Sequence, residues 1–257
     1  MRPPDDRALH EMNPIGRFTD RAEDYARYRP TYPAAAIDCV LQGLGDPAQI
    51  AAADVGAGTG ISARLLAGRG VRVIAVEPNA AMREAAVPHE HVAWREGAAE
   101  STGLAAGSVD LVLCAQAFHW FRPRESVGEF HRILRPGGRL ALIWNSRDRR
   151  DPLTRGYIEA IRAVNGEHPA ETREFDPGVV YADGLFTEPS LESFEHAQEL
   201  DRPGLVGRAA SASYVPKEGE AFARLTELLE SLFERHRDVR GLVTLRYETK
   251  VYRADRR

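Results

Sequence analysis

The stretch Asp54-Val55-Gly56-Ala57-Gly58-Thr59-Gly60 constrains this chain more than any other. It follows the small apolar run 50–53 and precedes Ile61-Ser62-Ala63-Arg64-Leu65-Leu66. That succession predicts a strand, a tight turn and a helix. Its glycines reach backbone angles closed to other residues and hold no Cβ against a ligand. The helix behind them offers free N–H groups and a positive dipole end. The β-branched run 71–76 is the next strand, and it ends at Glu77. Glu77 lies about twenty residues past the turn, where an acid of a βαβ unit reaches ribose hydroxyls. A lone glutamate at a strand end is otherwise a solvated charge, but the turn before it favours the ribose reading.

The dinucleotide fingerprint G-x-G-x-x-G does not fit, because the third glycine comes one residue early, at Gly60. An acid, Asp54, also stands before the first glycine. The pattern D-x-G-x-G-x-G resembles motif I of the class I S-adenosylmethionine-dependent methyltransferases. The resemblance implies that Asp54, Gly56, Ala57, Gly58 and Gly60 cradle the amino-acid end of S-adenosylmethionine. It places Glu77 and Pro78 beside the ribose. It suggests Met82 on the adenine, where an ordinary core methionine is the equal alternative. A third strand, 91–96, leads into Gly97-Ala98-Ala99-Glu100. A loop of this look makes Ala98, Ala99 and Glu100 the adenine-edge candidates, unless Glu100 serves a neighbouring turn instead.

The run 108–114 reads as a fully buried fourth strand. Beyond it stands Ala115-Gln116-Ala117-Phe118-His119-Trp120-Phe121, at the strand end where an open parallel sheet binds ligands. The run from Gln116 to Phe121 is similar to the trans-aconitate methyltransferase-like subgroup, and so is Tyr28-Arg29-Pro30-Thr31-Tyr32-Pro33. Leu134-Arg135-Pro136-Gly137-Gly138-Arg139-Leu140 resembles the wider family. Gln116 joins the cofactor candidates. Tyr28, Arg29, Tyr32, His119, Trp120, Trp144 and Asn145 are the substrate candidates. The segment 18–33 interleaves aromatic residues and arginines. It reads either as a helix packed by its aromatic face or as a lid over cofactor and substrate.

Methyl transfer from a sulfonium is an in-line displacement that needs orientation and a dry pocket, not a protein nucleophile or a metal. An acidic O–H or N–H acceptor would gain from a base. His119 is the catalytic candidate, with a pocket wall as its other reading. A carboxylate acceptor needs no base, and Arg29 or Arg147 would hold it. His89 and His91 alternate without a third ligand at metal spacing, so no metal site is expected.

The remaining chain completes an α/β, Rossmann-like doubly wound sheet of seven strands, the last antiparallel. Helices are expected at 33–44, from 123, and from 151 to about 165. Strand five is expected at 140–144, strand six at 191–200, helices at about 203–213 and 217–236, and strand seven at 242–253. The expected organisation is a disordered tail over 1–15, a helical lid over 16–45, and a methyltransferase domain over 46–257. A substrate-shaping insertion at about 150–190 covers the ligand edge. The net charge of −4 argues against a general affinity for nucleic acid. No apolar run reaches membrane-span length, and the polar start carries no signal segment. Cys39 and Cys114 sit in apolar runs and read as buried thiols of a reducing compartment. A cytoplasmic protein with a small-molecule substrate is therefore expected, with a homodimer left open. The alternatives are a non-methylating enzyme on this fold, a cofactor-binding regulator, and an NAD-dependent oxidoreductase. The last is disfavoured by the glycine spacing and the lack of a Tyr-x-x-x-Lys pair.

Overall fold

The computed structural model describes residues 11, 16–168 and 175–257. Its seven strands are β1 (Ala51–Val55), β2 (Arg72–Val76), β3 (Val92–Arg95), β4 (Val109–Ala115), β5 (Leu134–Arg147), β6 (Ser190–Leu200) and β7 (Val243–Asp255). They form one sheet in the order β3-β2-β1-β4-β5-β7-β6. The pairs from β3 through β5 are parallel. β7 runs antiparallel to both of its neighbours, as the sequence leads one to expect. The strand order reverses between β1 and β4, which opens a crevice at their C-terminal ends. Both strands are buried almost throughout, which explains why they read as apolar runs rather than alternations.

The helices are α1 (Ala22–Tyr28), α2 (Ala34–Leu41), α3 (Ile61–Ala67), α4 (Ala80–Glu84), α5 (Pro123–Ile133), α6 (Pro152–Asn165), α7 (Gly178–Tyr181), α8 (Arg202–Ala210) and α9 (Gly219–His236). One sheet face is covered by α2 and α3, through Ile37, Val40 and Leu66. The other carries α5 and the segment 175–186, through Phe130, Ile133, Val180 and Phe186. A third core lies beyond the sheet. There α6, α8 and α9 pack on the overhanging ends of β6 and β7, burying Tyr157, Leu205, Leu229, Leu245 and Tyr247. In α9, Leu225, Leu229, Leu232 and Phe233 recur at one-face spacing and are all buried.

Two features differ from the sequence expectation. β5 begins at Leu134, not near Leu140, because Leu134 already pairs with Val109 before the register shifts and Leu111 pairs with Arg139. The Pro-Gly-Gly turn is thus absorbed into the strand as an irregularity. A Cβ at Gly138 would lie 2.9 Å from the Arg135 carbonyl oxygen and 3.0 Å from that of Asp110, so only glycine fits. The second difference is that 150–190 is not one unit. α6 belongs to the helical cap, with Asp151 capping its start by accepting from Thr154 N at 2.8 Å. The segment from Phe175 instead runs across a sheet face. Phe175 stacks on Trp144 at 4.5 Å near the C-terminal end of β5. Phe186 pairs with Arg256 at the far end.

The N-terminal segment leans on this cap. Arg21 Nη1 donates to the carbonyls of Ala210, Ala212 and Val215 at 2.9, 2.8 and 2.7 Å. Gln198 Nε2 donates to the Tyr28 carbonyl at 2.9 Å, and Lys217 pairs with Asp24 at 2.8 Å. A Cβ at Gly207 would overlap the Tyr28 ring, so a bare backbone there lets α1 seat closely. Losing a charged donor from a part-buried carbonyl cluster costs about 2 kcal/mol. Arg21→Ala is therefore expected to lower stability by that amount, read from the urea midpoint at unchanged m-value.

Candidate functional site

The glycine turn is built on left-handed backbone. Gly56, Gly58 and Gly60 have φ of 70°, 58° and 75°. At Gly56 a Cβ would lie 2.7 Å from Ala117 Cβ and 2.8 Å from Phe121 Cζ, and at Gly60 2.9 Å from Trp94 Cζ2. At Gly58 it would instead face the space between Met82 Cε, at 3.2 Å, and Tyr25 Cε1, at 3.6 Å. Gly56 and Gly60 are therefore needed for packing, and Gly58 for the opening of the crevice.

Glu77 braces the turn from the end of β2. Its Oε2 accepts from Gly58 N and its Oε1 from Asn79 N, both at 2.9 Å. Burial raises its pKa, and these two N–H groups partly offset that. Asn79 Oδ1 caps α4 by accepting from Met82 N at 3.2 Å, which fixes Met82 as a buried wall of the crevice. Pro78, half-buried, joins the two.

Asp54 is fully buried at the end of β1. Its Oδ2 accepts from Ser62 Oγ at 2.7 Å, while its Oδ1 has no hydrogen-bond partner in ordinary geometry. Burial pushes its pKa up to about 7, against the opposing effects of Ser62 and the Ala63 N–H. A buried, unsatisfied acceptor beside a glycine turn and a helix start suits a donor brought by a ligand. The residues present thus fit a cofactor with a cationic amino-acid end and a nucleoside end.

A cavity of about 20 Å³ lies between these residues and the N-terminal segment, lined by Tyr25, Arg29, Tyr32, Ser62, Gln116 and Asn145 among others. Such a volume holds about one water. That is far less space than a nucleoside fills. Gln116, at φ 55°, is the non-glycine residue with left-handed backbone among the described residues. Its N–H donates to the Ile143 carbonyl at 2.8 Å and its Nε2 to the Asn145 carbonyl at 3.2 Å. Strain held at the ligand end of a central strand is typical of a working site.

Past Gln116, the 3₁₀ turn Phe118–Trp120 presents His119. Trp144 Nε1 donates to His119 Nδ1 at 3.4 Å. Burial lowers the His119 pKa to about 4, with Arg29's charge adding to the effect. The ring is therefore neutral at pH 7, with its proton on Nε2. That arrangement suits a hydrogen-bond donor or a wall better than a base. Trp120 is half-buried with its ring 5.1 Å from that of His119.

Of the other expected residues, Asn145 has both side-chain ends engaged. Its Nδ2 donates to the Thr31 carbonyl at 2.9 Å and its Oδ1 accepts from Thr249 Oγ1 at 2.6 Å, so it ties the 29–33 segment to the sheet. Tyr32 is buried, and desolvation raises its hydroxyl pKa well above the usual range. Tyr28 packs toward Gly207 rather than into the cavity. Ala99 is buried in the second core, and Ala98 bridges to Ser101. Glu100 Oε1 accepts from Arg122 N at 2.7 Å, at the start of α5. Sequence reasoning did not single out Ser62, Gln198, Arg208 or Ser211. The serine follows the motif directly and was readable. Gln198 on β6 and Arg208 and Ser211 in the distant cap carry no local signal. Among the described residues, no three His, Cys, Asp or Glu side chains group for a metal ion. No described helix is long and apolar enough to cross a membrane.

A family model described as a methyltransferase domain matches residues 53–142. An uncharacterized methyltransferase of Mycobacterium bovis is 38% identical over 193 residues, covering 74% of each chain. Among solved structures, a protein described as a candidate Type II methyltransferase from Anaeromyxobacter dehalogenans aligns with a TM-score of 0.62 at 26% identity. That alignment covers 89% of this chain and 98% of the other. The geranyl diphosphate C-methyltransferase of Streptomyces coelicolor, solved with S-adenosylhomocysteine, shares the fold. Its TM-score is 0.53 at 16% identity, with 99% of this chain and 100% of that chain covered.

Proposed function

The chain belongs to the class I S-adenosylmethionine-dependent methyltransferases, with S-adenosylmethionine as its cofactor, and from that premise we propose that it methylates a small-molecule acceptor at oxygen, nitrogen or carboxylate. The observation that carries this reading is the cavity shared by the glycine-turn helix, the ends of β4 and β5, and Arg29 and Tyr32 of the N-terminal segment. The sequences 28–33 and 116–121 further support the trans-aconitate methyltransferase-like subgroup.

S-adenosylmethionine, when bound, supplies an electrophilic methyl group. The chain's part is to hold, orient and dry the reactants. Asp54, Gly58, Glu77 and Met82 hold the cofactor. Segment 16–33 is the lid, and α2 belongs to the sheet's own core rather than to it. His119 forms part of the acceptor wall and donates from Nε2, with Trp144 fixing its tautomer. The tail over 1–15 lies almost wholly outside the described residues. Two buried free thiols support a reducing, cytoplasmic setting, and nothing in the site calls for nucleic acid.

The reading is tested by calorimetric titration with S-adenosylmethionine, S-adenosylhomocysteine and NAD, followed by an acceptor screen for S-adenosylhomocysteine release. Micromolar binding of the first two and turnover with a small acceptor are expected. Turnover only with a protein or nucleic acid would sink the small-molecule reading. For His119→Ala, unchanged cofactor affinity and an unchanged shape of the kcat–pH profile from pH 6 to 8 are expected. A lost inflection in that window would restore the base role.

A further inference from the structure

Arg208 is buried and Arg29 half-buried with its Nε shielded, and among the described residues no acid neutralises either. Arg208, on α8, is only 3% exposed. Its Nε donates to the Tyr247 hydroxyl at 3.3 Å and its Nη1 to Ser211 Oγ at 3.4 Å. Both bonds are long and both partners neutral. Arg29 Nη2 donates to the Ser211 carbonyl at 3.1 Å, and its buried Nε has no partner. Two cations thus converge on a single serine. Among the described residues no carboxylate pairs with either, and the titratable groups nearest each are arginines, Arg147 among them, and neutral tyrosines. The Tyr157 hydroxyl, fully buried and unpartnered, lies within electrostatic reach of Arg208.

A buried, uncompensated cation is costly, and two of them repel one another. A bracing role for Arg208 does not call for a charge, since a neutral side chain of similar length would fill the space without the desolvation cost. A guanidinium does one thing that no neutral side chain does: it grips a carboxylate or phosphate through a planar fork. Arg29 also lines the cavity with Gln116, and Arg208 stands behind it, the two joined through Ser211.

We propose that Arg29 and Arg208, with Ser211 and Tyr157, form an oxyanion subsite that holds an acid group of the methyl acceptor. The acceptor is then a small anionic molecule. One arginine comes from the lid and one from the cap, so the subsite is complete only when the lid is seated. The inference rests on the methyltransferase reading for the word acceptor, but its test reads binding and needs no turnover.

The experiment is calorimetric titration of the full chain, with and without saturating S-adenosylhomocysteine. Succinate, inorganic phosphate and the neutral succinamide are the probes. Binding of at least one anion is expected, with succinamide at least about thirtyfold weaker. The preferred anion tells a carboxylate acceptor from a phosphorylated one. Arg208→Met and Arg29→Met should each weaken the anion by about thirtyfold or more. S-adenosylhomocysteine should still bind both variants. Arg208→Met should also unfold at the same or higher urea concentration, because a buried unpaired charge has been removed. Failure of both anions to bind, or equal binding of succinamide, would overturn the subsite. So would a strongly destabilised Arg208→Met together with an Arg29→Met variant that binds the anion normally. Loss of S-adenosylhomocysteine binding by the wild type would instead count against the cofactor reading, with the anion titration still read on the free protein.

Discussion

Gly58→Val is expected to weaken S-adenosylmethionine binding by at least about a hundredfold, roughly 3 kcal/mol, while the protein remains folded. The backbone at 58 has φ 58°, where a β-branched residue is strained by about 1–3 kcal/mol. Its Cβ would meet only the mobile end of Met82 at 3.2 Å, a contact that a small shift relieves. The two methyl groups would then project into the crevice between Met82 and Tyr25. The strained amide would also lose its bond to Glu77, now 2.9 Å. Gly56→Ala is the control with the opposite signature. There the new atom meets Ala117 and Phe121 at 2.7 and 2.8 Å, so stability suffers before affinity does. Calorimetry and urea unfolding on both variants separate the two effects. Cofactor affinity within tenfold of wild type in Gly58→Val would remove the turn from the cofactor site.

The second large effect belongs to Asp54→Asn. Burial holds the Asp54 pKa at about 7 in the folded chain, whereas the unfolded chain titrates near the ordinary carboxylate value. Between about pH 4 and pH 7 the unfolded state ionises first. Stability conferred by the protonated carboxyl is complete below about pH 4 and is lost as pH rises through 7. Glu77, also raised by burial, pushes in the same direction. Asparagine keeps the shape and cannot ionise. Its stability advantage over wild type should therefore grow by about 4 kcal/mol between pH 4 and pH 8, read from urea unfolding at each pH. Cofactor affinity should fall, because the carboxylate that would meet the cofactor's cationic end becomes a neutral amide, half of it a donor. Parallel stability–pH curves for the two proteins would show that Asp54 titrates normally and is not a desolvated acceptor.

The parts of the molecule legible in the sequence are those set by local chemistry. The glycine turn, the acid at the end of β2 and the punctuation around each strand give the sheet and its crevice. The start of β5 was misplaced because Pro136-Gly137-Gly138 has turn chemistry, and only pairing with Val109 makes it part of a strand. The span 150–190 reads as one insertion because nothing local shows that α6 packs with α8 and α9 while 175–186 crosses a sheet face. Arg208 could not be found at all. An arginine on a short helix reads as surface charge, and its burial depends on Tyr247, 39 positions away. Asn145 sits at the expected strand end, yet its amide is spent on Thr31 and Thr249, a matter of rotamer rather than of position.

If segment 16–33 is the lid proposed above, its attachment has a kinetic consequence. Arg21, Tyr28 and Arg29 are fastened to residues 198–215, while Tyr25 and Tyr32 close the cofactor crevice. A single gate therefore guards two ligands. Spent cofactor cannot exchange while the acceptor's side of the gate stays latched, and the residence times of the two products are linked. On that reading, product release waits on a strap of hydrogen bonds letting go, a step on the microsecond-to-millisecond scale of lid motions.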